Sequence, residues 1–302
     1  MSDLAGVRAR NATFWARAAP GWIRHADRQD EYGRPLGAVA LDRLRPRPGE
    51  RILDVGCGCG GTSAELAGAV GPAGTVVGLD LDASMVEAAA ARFPGDRHPG
   101  LRFTAADIET AEAVQGAPFD AAYSRMALML AADPVAACSA IRRALRPGGR
   151  LAATVFRDGA ATPWMHAVLL GAAPHLGPLP PMPVGDEPGP FAFADPGRVT
   201  RVLTGAGFDA VGVEPYDVVL RAPGDPGAVA EWLIEIGPAG AAYREAAPER
   251  RAAARAGVIK LLARFREPPE PTGPPEPTGP AAGYRLPAGI WLVTAVAPAG
   301  TA

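Results

Sequence analysis

The feature that most constrains the fold is a regular alternation of short apolar runs with helical stretches between residues 50 and 156. Five apolar runs have the length and composition of β-strands, at residues 51–55, 75–79, 101–105, 119–123 and 150–156. The segments between them carry apolar residues at helical spacing and end in glycine, proline or aspartate turns. Strands that alternate with helices in this way form βαβ units with parallel strands. The sequence therefore predicts an α/β fold on a mainly parallel sheet.

Capping signals mark where three of these helices begin. Thr62 and Ser84 are each followed three residues later by a glutamate, which is the spacing of a capping box. Asp133 directly precedes a proline, a residue favoured at the first position of a helix. We expect helices to begin near Thr62, near Ser84 and at the proline after Asp133.

The remaining segments predict one main domain with additions. Residues 1–48 read as helices closed by prolines, so we expect an N-terminal helical cap there. Residues 49–302 form the main domain, with proline-rich or helical insertions at about 157–197 and 222–287.

The C-terminal half adds two strand signals and one loop. Residues 211–220 and 290–296 read as further strands. A tandem Pro-Pro-Glu-Pro-Thr-Gly repeat at residues 268–279 lies in a Pro-rich loop, 267–280. We expect this loop to be extended and mobile because it has little apolar surface to bury.

Charge and composition exclude several classes of protein. The 302 residues include 30 Lys and Arg against 32 Asp and Glu, a formal net charge of −2, which gives no electrostatic case for nucleic-acid binding. No stretch approaches the roughly 18 uninterrupted apolar residues of a membrane span, and the first residues lack an apolar signal core. Three cysteines in a chain of this length are too few for a disulfide framework, so we expect a cytoplasmic protein. The oligomeric state is left open, a homodimer included.

A glycine-rich loop follows the first predicted strand. Gly56, Gly58 and Gly61 match G-x-G-x-x-G, a pattern shared with dinucleotide-binding proteins and weak when it stands alone. Asp54 comes directly before these glycines. Its carboxylate would repel a pyrophosphate, whereas it would attract a ligand that carries an ammonium and a sulfonium group. The loop therefore favours a cationic cofactor over NAD.

Two more acidic residues follow the next two strands. Asp80 ends the second strand, where a carboxylate can accept hydrogen bonds from both hydroxyls of a ribose, a role that NAD would satisfy equally well. Asp107 follows the third strand, where it could accept a hydrogen bond from an adenine amine. Taken singly, each could equally be a surface acid or a helix cap. Taken in order, the acids indicate a nucleoside-containing cofactor.

This region resembles the motifs of class I S-adenosylmethionine-dependent methyltransferases. The run 52–60 is similar to their first motif, and Asp80, Asp107 and the run 145–150 match later motifs in order and spacing. The resemblance implies a Rossmann-like, seven-stranded, mainly parallel sheet with an antiparallel last strand, helices on both faces and inserted lid segments. It also implies S-adenosylmethionine as the cofactor. The flanking segments are similar to a bacterial branch that methylates small molecules.

The resemblance also implies which residues contact the cofactor. Gly56 and Gly58 would line its methionine part, and Asp80 would hold the ribose. Leu81 and Ile108 would sandwich the adenine, whose amine Asp107 would contact, and Ser124 would lie beneath the methionine. With the other loop residues, the predicted cofactor-binding set is Asp54, Gly56, Gly58, Gly60, Asp80, Leu81, Asp107, Ile108 and Ser124.

The candidates for catalysis are two histidines and an arginine. Methyl transfer from a sulfonium is an in-line displacement, so the protein chiefly supplies proximity, alignment and exclusion of water. A general base is needed only when the acceptor arrives protonated. His166 in the first insertion is the first candidate for a base, and His25 in the cap is the second, although each could equally be structural. Arg125, after the fourth strand, is the alternative, as a cation that orients an anionic acceptor.

Cysteines and aromatic residues give weaker indications. Cys57 and Cys59 lack a second Cys/His pair at metal-ligand spacing, so no metal is predicted. Aromatic residues of the cap and the first insertion either line an apolar acceptor pocket or pack the cap onto the sheet: Trp15, Trp22, Trp164, Phe191 and Phe193.

The predicted function is S-adenosylmethionine-dependent methyl transfer to an O, N or C atom of a small-molecule acceptor in specialised metabolism. Three alternatives stay open at this point: methylation of a peptide, a cofactor-binding protein that transfers no methyl, and an NAD-dependent oxidoreductase. The last is disfavoured by Asp54 and by the lack of a Tyr-x-x-x-Lys pair, because Lys260 is the only lysine. Neither a nucleic-acid nor a membrane partner is expected.

Overall fold

The computed structural model describes residues 3–179, 183, 185–267 and 283–299. Its centre is a seven-stranded sheet with strand order β3-β2-β1-β4-β5-β7-β6. The strands are β1 Arg51–Val55, β2 Thr75–Asp80, β3 Leu101–Ala105, β4 Phe119–Arg125, β5 Leu145–Phe156, β6 Asp209–Ala222 and β7 Tyr284–Val296. Strands β1 to β5 pair in parallel, whereas β7 lies antiparallel to both β5 and β6. The predicted mainly parallel sheet with an antiparallel last strand is confirmed.

Helices connect and flank these strands. They are α1 Leu4–Arg24, α2 Ala26–Leu44, α3 Gly61–Val70, α4 Ala83–Arg92, α5 Pro134–Ala144, α6 Pro163–Leu176, α7 Pro196–Gly205, α8 Pro226–Glu235, α9 Gly240–Glu245 and α10 Pro248–Leu262, with short 3-10 turns at Leu128–Leu130 and Ala263–Phe265. Helices α1 and α2 fall within the segment predicted as an N-terminal cap.

All three helices begin within one residue of the predicted starts, but only Asp133 of the three predicted caps is the observed cap residue. Helix α5 begins at its proline, and the Asp133 carboxylate accepts a hydrogen bond from the amide of Ala136 at 2.9 Å, as predicted. Helix α4 is capped by Asp82 and not by Ser84, because the Asp82 carboxylate accepts from both the Met85 amide and the Ser84 hydroxyl. Helix α3 begins after Gly60, and the expected cap Thr62 is buried within its first turn.

Strands β5 and β7 begin at least five residues before the apolar runs that predicted them. Strand β5 begins at Leu145 because this residue pairs with Phe119 across an irregularity in β4. Strand β7 begins at Tyr284, inside the range predicted as an insertion, because it pairs along its length with β6 as far as Ala222. The tandem repeat at 268–279 lies outside the described residues.

Alternating side chains give the sheet two apolar faces. Leu53 and Val55 of β1 belong to a large buried cluster that includes residues of α5, α6, α7, α8 and α10. Ile52, the residue before Leu53, points to the opposite face of the sheet and belongs to a second cluster with Leu44 of α2 and Leu66 of α3. Helices therefore cover both faces of the sheet, and residues at the carboxyl ends of its strands are left to form a site.

Helices α6 and α10 cross in backbone contact. A Cβ atom added at Gly171 of α6 would lie 2.7 Å from the backbone nitrogen and the Cα atom of Val258 in α10. On the other helix, a Cβ atom at Gly257 would clash with the carbonyl oxygen of Gly171. The crossing therefore requires glycine on both helices.

Replacing Gly171 with alanine is expected to destabilise the protein by about 1–3 kcal/mol, because the extra methyl group must push two helix backbones apart. Gly68 of α3 provides the matched control, since it is exposed and a Cβ atom there would meet no other atom within 4 Å. Gly68→Ala should stabilise the helix by up to about 1 kcal/mol. Urea unfolding of the two variants measures both effects, and equal stability of Gly171→Ala and wild type would contradict the proposed packing.

Candidate active site

The glycine-rich loop between β1 and α3 is held to the neighbouring strand β2. The amides of Gly56 and Cys57 both donate to the carbonyl oxygen of Leu79, at 2.8 and 3.1 Å. Gly56 has a positive φ of 73°, and a Cβ atom there would clash with the side chain of Ala127. The backbone conformation at Gly56 therefore requires glycine, because any side chain there would be strained and would clash with Ala127.

Asp80, at the end of β2, connects this loop to the next one. Its Oδ2 atom accepts a hydrogen bond from the Gly58 amide at 2.8 Å, and its Oδ1 atom accepts from the Asp82 amide at 3.0 Å. Burial raises the pKa of this carboxyl above its ordinary value, and the two backbone hydrogen bonds oppose that shift. Each oxygen has a further lone pair for a ligand, which suits the predicted contact with two ribose hydroxyls.

Asp54 is a buried acid behind the glycine-rich loop. It is 1% exposed, and its Oδ2 atom accepts a hydrogen bond from the Ser63 hydroxyl at 2.6 Å. Burial raises the pKa of Asp54 to about 6, while the Ser63 hydrogen bond and the charge of Arg125 act in the opposite direction. The group is therefore mainly ionised at neutral pH and places a negative charge next to the loop.

A cavity of about 300 Å³ lies between the loop and the helices of the N-terminal cap. One wall, which we name the cofactor wall, brings together six of the predicted cofactor-binding residues: Gly56, Gly58, Asp80, Leu81, Asp107 and Ile108. These residues lie at or just after the carboxyl ends of β1, β2 and β3, which are neighbours in the sheet. Their positions at the ends of successive strands therefore predicted that they would lie close together.

Three predicted cofactor residues lie next to this wall and not on it. Asp54 is buried behind the loop, and Gly60 caps α3. Ser124 is fully buried, and its hydroxyl donates to the carbonyl oxygen of Val55 at 2.9 Å. The Ser124 hydroxyl thus ties β4 to β1 and supports the loop from the side.

Most of the other residues that line the cavity are apolar, and we name these residues the acceptor wall. Trp15, Trp22 and Trp164 lie on it as predicted, together with Tyr32, Leu36, Phe156, Met165, Val168, Leu169, Leu233, Ile234, Ile236 and Pro238. Phe191 and Phe193 do not reach it: Phe193 is buried at 2% exposure, and Phe191 stacks on His166. Tyr32 and Phe156 were missed, although Tyr32 precedes Leu36 by one helical turn, a spacing that places both on one face of α2.

Neither predicted histidine lies on the cavity wall. Helix α6 turns Trp164 and Met165 toward the cavity, which leaves His166 exposed and stacked on Phe191 with ring centroids 5.6 Å apart. His25 sits at the junction of α1 and α2, where its Nε2 atom is 2.8 Å from Oε2 of the buried Glu235. Their positions support structural roles, because neither imidazole lies where it could contact a molecule bound in the cavity. That either histidine acts as a base stays a prediction without support from the geometry.

Arg125, the third catalytic candidate, does lie on the wall. Its guanidinium is 3.8 Å from Oδ1 of Asp30, whose other oxygen accepts a hydrogen bond from Arg92 at 2.6 Å. A Cβ atom at Gly33 would lie 3.0 Å from the Arg125 guanidinium, so the backbone of α2 packs directly on it. Arg125 therefore lies on the cavity wall beside a carboxylate, and its role in orienting an anionic acceptor stays a prediction.

Glu109 also lines the cavity, and the sequence analysis did not predict it as a site residue. Its Oε2 atom accepts hydrogen bonds from Arg8 Nε at 2.9 Å and from the Asp133 amide at 2.8 Å, while Oε1 accepts from the Ala132 amide at 2.8 Å. It thereby fixes α1, which covers the cavity, to the loop before α5. Arg8 and Glu109 are 101 residues apart, so no local pattern predicts the contact.

The described residues contain no group of three or more His, Cys, Asp and Glu side chains arranged to hold a metal ion. Within the same part of the chain, no helix combines the length and apolar character needed to cross a lipid bilayer.

Known proteins share both the sequence and the fold of this chain. A family described as "Methyltransferase domain" matches residues 52–149. Nocamycin O-methyltransferase of Saccharothrix syringae is 33% identical over 237 residues, 76% of this chain and 84% of that protein. Aklanonic acid methyltransferase DauC of a Streptomyces species is 32% identical over 131 residues, 43% of this chain and 59% of DauC. The solved YcgJ protein from Bacillus subtilis shares the fold, with a TM-score of 0.52, 14% identity and coverage of 87% of this chain and 98% of its own.

The chain belongs to the class I S-adenosylmethionine-dependent methyltransferases, and S-adenosylmethionine is its cofactor. The cavity fits that molecule on the chemistry of its walls. Asp80 offers carboxylate lone pairs for ribose hydroxyls, Leu81 and Ile108 offer apolar surface for adenine, and the buried Asp54 favours a cationic ligand.

Proposed function

We propose that the protein transfers a methyl group to an oxygen atom of a small, largely apolar molecule of specialised metabolism. The observation that carries this proposal is one cavity lined both by the cofactor wall and by an acceptor wall of aromatic and aliphatic side chains. The names of nocamycin O-methyltransferase and aklanonic acid methyltransferase support an acceptor of this kind.

The chain's own residues supply position and exclusion of water. When bound, S-adenosylmethionine supplies a methyl group already activated on a positively charged sulfur. Asp80 and the glycine-rich loop would fix the donor, and the acceptor wall would align a flat molecule against it, which is the main requirement of an in-line displacement. Helix α1, through Trp15 and Trp22, would keep water from the reacting atoms.

A peptide acceptor has less support. The acceptor wall is formed by side chains of α1, α2, α6, α8 and the segment after α8, with Phe156 of β5, and this arrangement suits a compact molecule better than an extended chain. The net charge of −2 likewise favours no nucleic-acid partner, and three free cysteines fit a cytoplasmic setting.

Filling the acceptor wall tests the proposal. Met165→Trp should lower turnover of an apolar hydroxylated acceptor by about tenfold or more while S-adenosylmethionine affinity stays the same, because Met165 belongs to the acceptor wall and not to the cofactor wall. Leu170→Trp is the matched control on the same helix, since Leu170 is 65% exposed and outside the cavity. Mass spectrometry of the products locates the methyl group. Methylation of peptides or amines in preference to oxygen would contradict the proposal.

A further inference from the structure

Two polar groups on the acceptor wall have no hydrogen-bond partner among the residues that the structure describes. Tyr32 and Trp164 both line the cavity, and each is 6% exposed. Within the described part of the chain, the Tyr32 hydroxyl and the Trp164 indole N–H are buried and unpartnered. Their rings meet edge to face with centroids 5.9 Å apart, and we name these two side chains the Tyr32–Trp164 pair.

Two neighbouring tryptophans, in contrast, have hydrogen-bond partners for their indole N–H groups. The indole N–H groups of Trp22 and Trp232 donate to Ile236 O and Gln29 Oε1, each at 3.1 Å. A buried polar group without a partner costs about 1–3 kcal/mol. The fold avoids this cost at the neighbouring indoles and bears it twice at the Tyr32–Trp164 pair. A ligand that supplied the missing partner would recover it.

The chemistry of the pair restricts what that partner can be. An indole N–H group donates a hydrogen bond and cannot accept one. Burial holds the pKa of Tyr32 well above its ordinary value, so its hydroxyl keeps the proton and can donate as well. The complementary ligand group is therefore a hydrogen-bond acceptor such as a carbonyl oxygen, and an ammonium group would be left unpaired.

None of the described histidines lies on the cavity wall, and the lining carboxylates that the structure describes, Asp30, Asp80, Asp107 and Glu109, each already accept at least one hydrogen bond from the protein. An acceptor oxygen that arrives ionised needs no base from the protein. A carbonyl group conjugated with the hydroxyl makes that hydroxyl acidic, and the same carbonyl is what the Tyr32–Trp164 pair can bind.

We propose that the Tyr32–Trp164 pair binds the carbonyl oxygen of an oxygen acid, either a carboxylic acid or an enolised dicarbonyl compound on an apolar skeleton. This inference rests on the proposed function and adds the acceptor class to it. An electron pair of the ionised oxygen forms the new O–C bond while the C–S bond breaks and its electrons pass to sulfur. The products are a neutral thioether and a neutral ester or enol ether, so no proton is removed and no further reactant is needed.

Binding of matched probes to protein saturated with S-adenosylhomocysteine tests the inference without requiring turnover. Naphthoate, naphthol and naphthylamine share one apolar skeleton and differ in the polar group. Calorimetry should show naphthoate as the tightest ligand of wild type. Tyr32→Phe and Trp164→Phe should each weaken naphthoate binding by about tenfold, the value of one hydrogen bond, and leave naphthylamine unchanged.

Tyr284→Phe is the matched control, because Tyr284 also buries an unpartnered hydroxyl but lies outside the cavity wall. It should leave the affinity for naphthoate unchanged. Equal affinities for naphthoate and naphthylamine in wild type, or full naphthoate affinity in both pair variants, would overturn the inference while the proposed function stands. Failure of all three probes to bind would contradict the apolar acceptor site and with it the proposed function.

Discussion

Replacing Asp80 with alanine should weaken binding of S-adenosylmethionine by more than about 100-fold, because two hydrogen bonds to a charged group are lost at about 1.5–3 kcal/mol each. The Asp80 carboxylate also accepts from the Gly58 amide, so its removal frees the glycine-rich loop at the point where the cofactor binds. Asp80→Asn should lose about tenfold, since one amide N–H group would then face a backbone donor. Titration calorimetry at constant pH measures both losses.

Asp82→Ala separates cofactor binding from local folding. Asp82 caps α4 through the Met85 amide and stands two residues from Asp80, yet it does not line the cavity. Its loss should cost about 1 kcal/mol of stability and leave cofactor affinity within a few-fold of wild type. If Asp80→Ala bound the cofactor as Asp82→Ala does, the ribose contact assigned to Asp80 would be wrong.

The cofactor wall was predictable because its information is local. A parallel strand brings the residue at its carboxyl end to one edge of the sheet, and Asp80, Leu81, Asp107 and Ile108 all occupy such positions. The register of neighbouring strands then places them together without further information from the sequence. The same reasoning placed Gly56 and Gly58 at the turn after β1.

The acceptor wall was less predictable because it depends on helix rotation and on distant contacts. His166 was a reasonable candidate until the rotation of α6 was known: one residue along a helix turns a side chain by about 100°, which separates exposed His166 from Met165 on the wall. His25 meets Glu235 across 210 residues of sequence. Contacts of that kind come from tertiary packing, and no spacing rule in a single sequence reports them.

Affinity for S-adenosylmethionine should fall as the pH drops through about 6, and Asp54 should be the cause. The folded-state pKa of Asp54 is about 6, against an ordinary value near 4, so the folded protein holds a proton that the unfolded chain releases. The stability that Asp54 contributes is therefore fully present below about pH 4 and is lost as the pH rises through about 6. The folded protein without cofactor thus favours the protonated form of Asp54. A cationic cofactor favours the ionised form, because it binds more tightly to the carboxylate.

Calorimetry between about pH 5 and pH 7, below the range in which an α-amino group titrates, should show affinity falling severalfold and levelling off at about a tenfold total loss as Asp54 becomes protonated. Asp54→Asn should bind about tenfold more weakly at neutral pH and should lose most of this slope; the slope that remains would report Asp80, whose pKa burial also raises. Ser63→Ala removes the hydrogen bond that stabilises the ionised form of Asp54, so the midpoint should move to higher pH. Identical slopes in wild type and Asp54→Asn would assign the pH dependence to another group and leave the acid before the glycines with a purely structural role through Ser63.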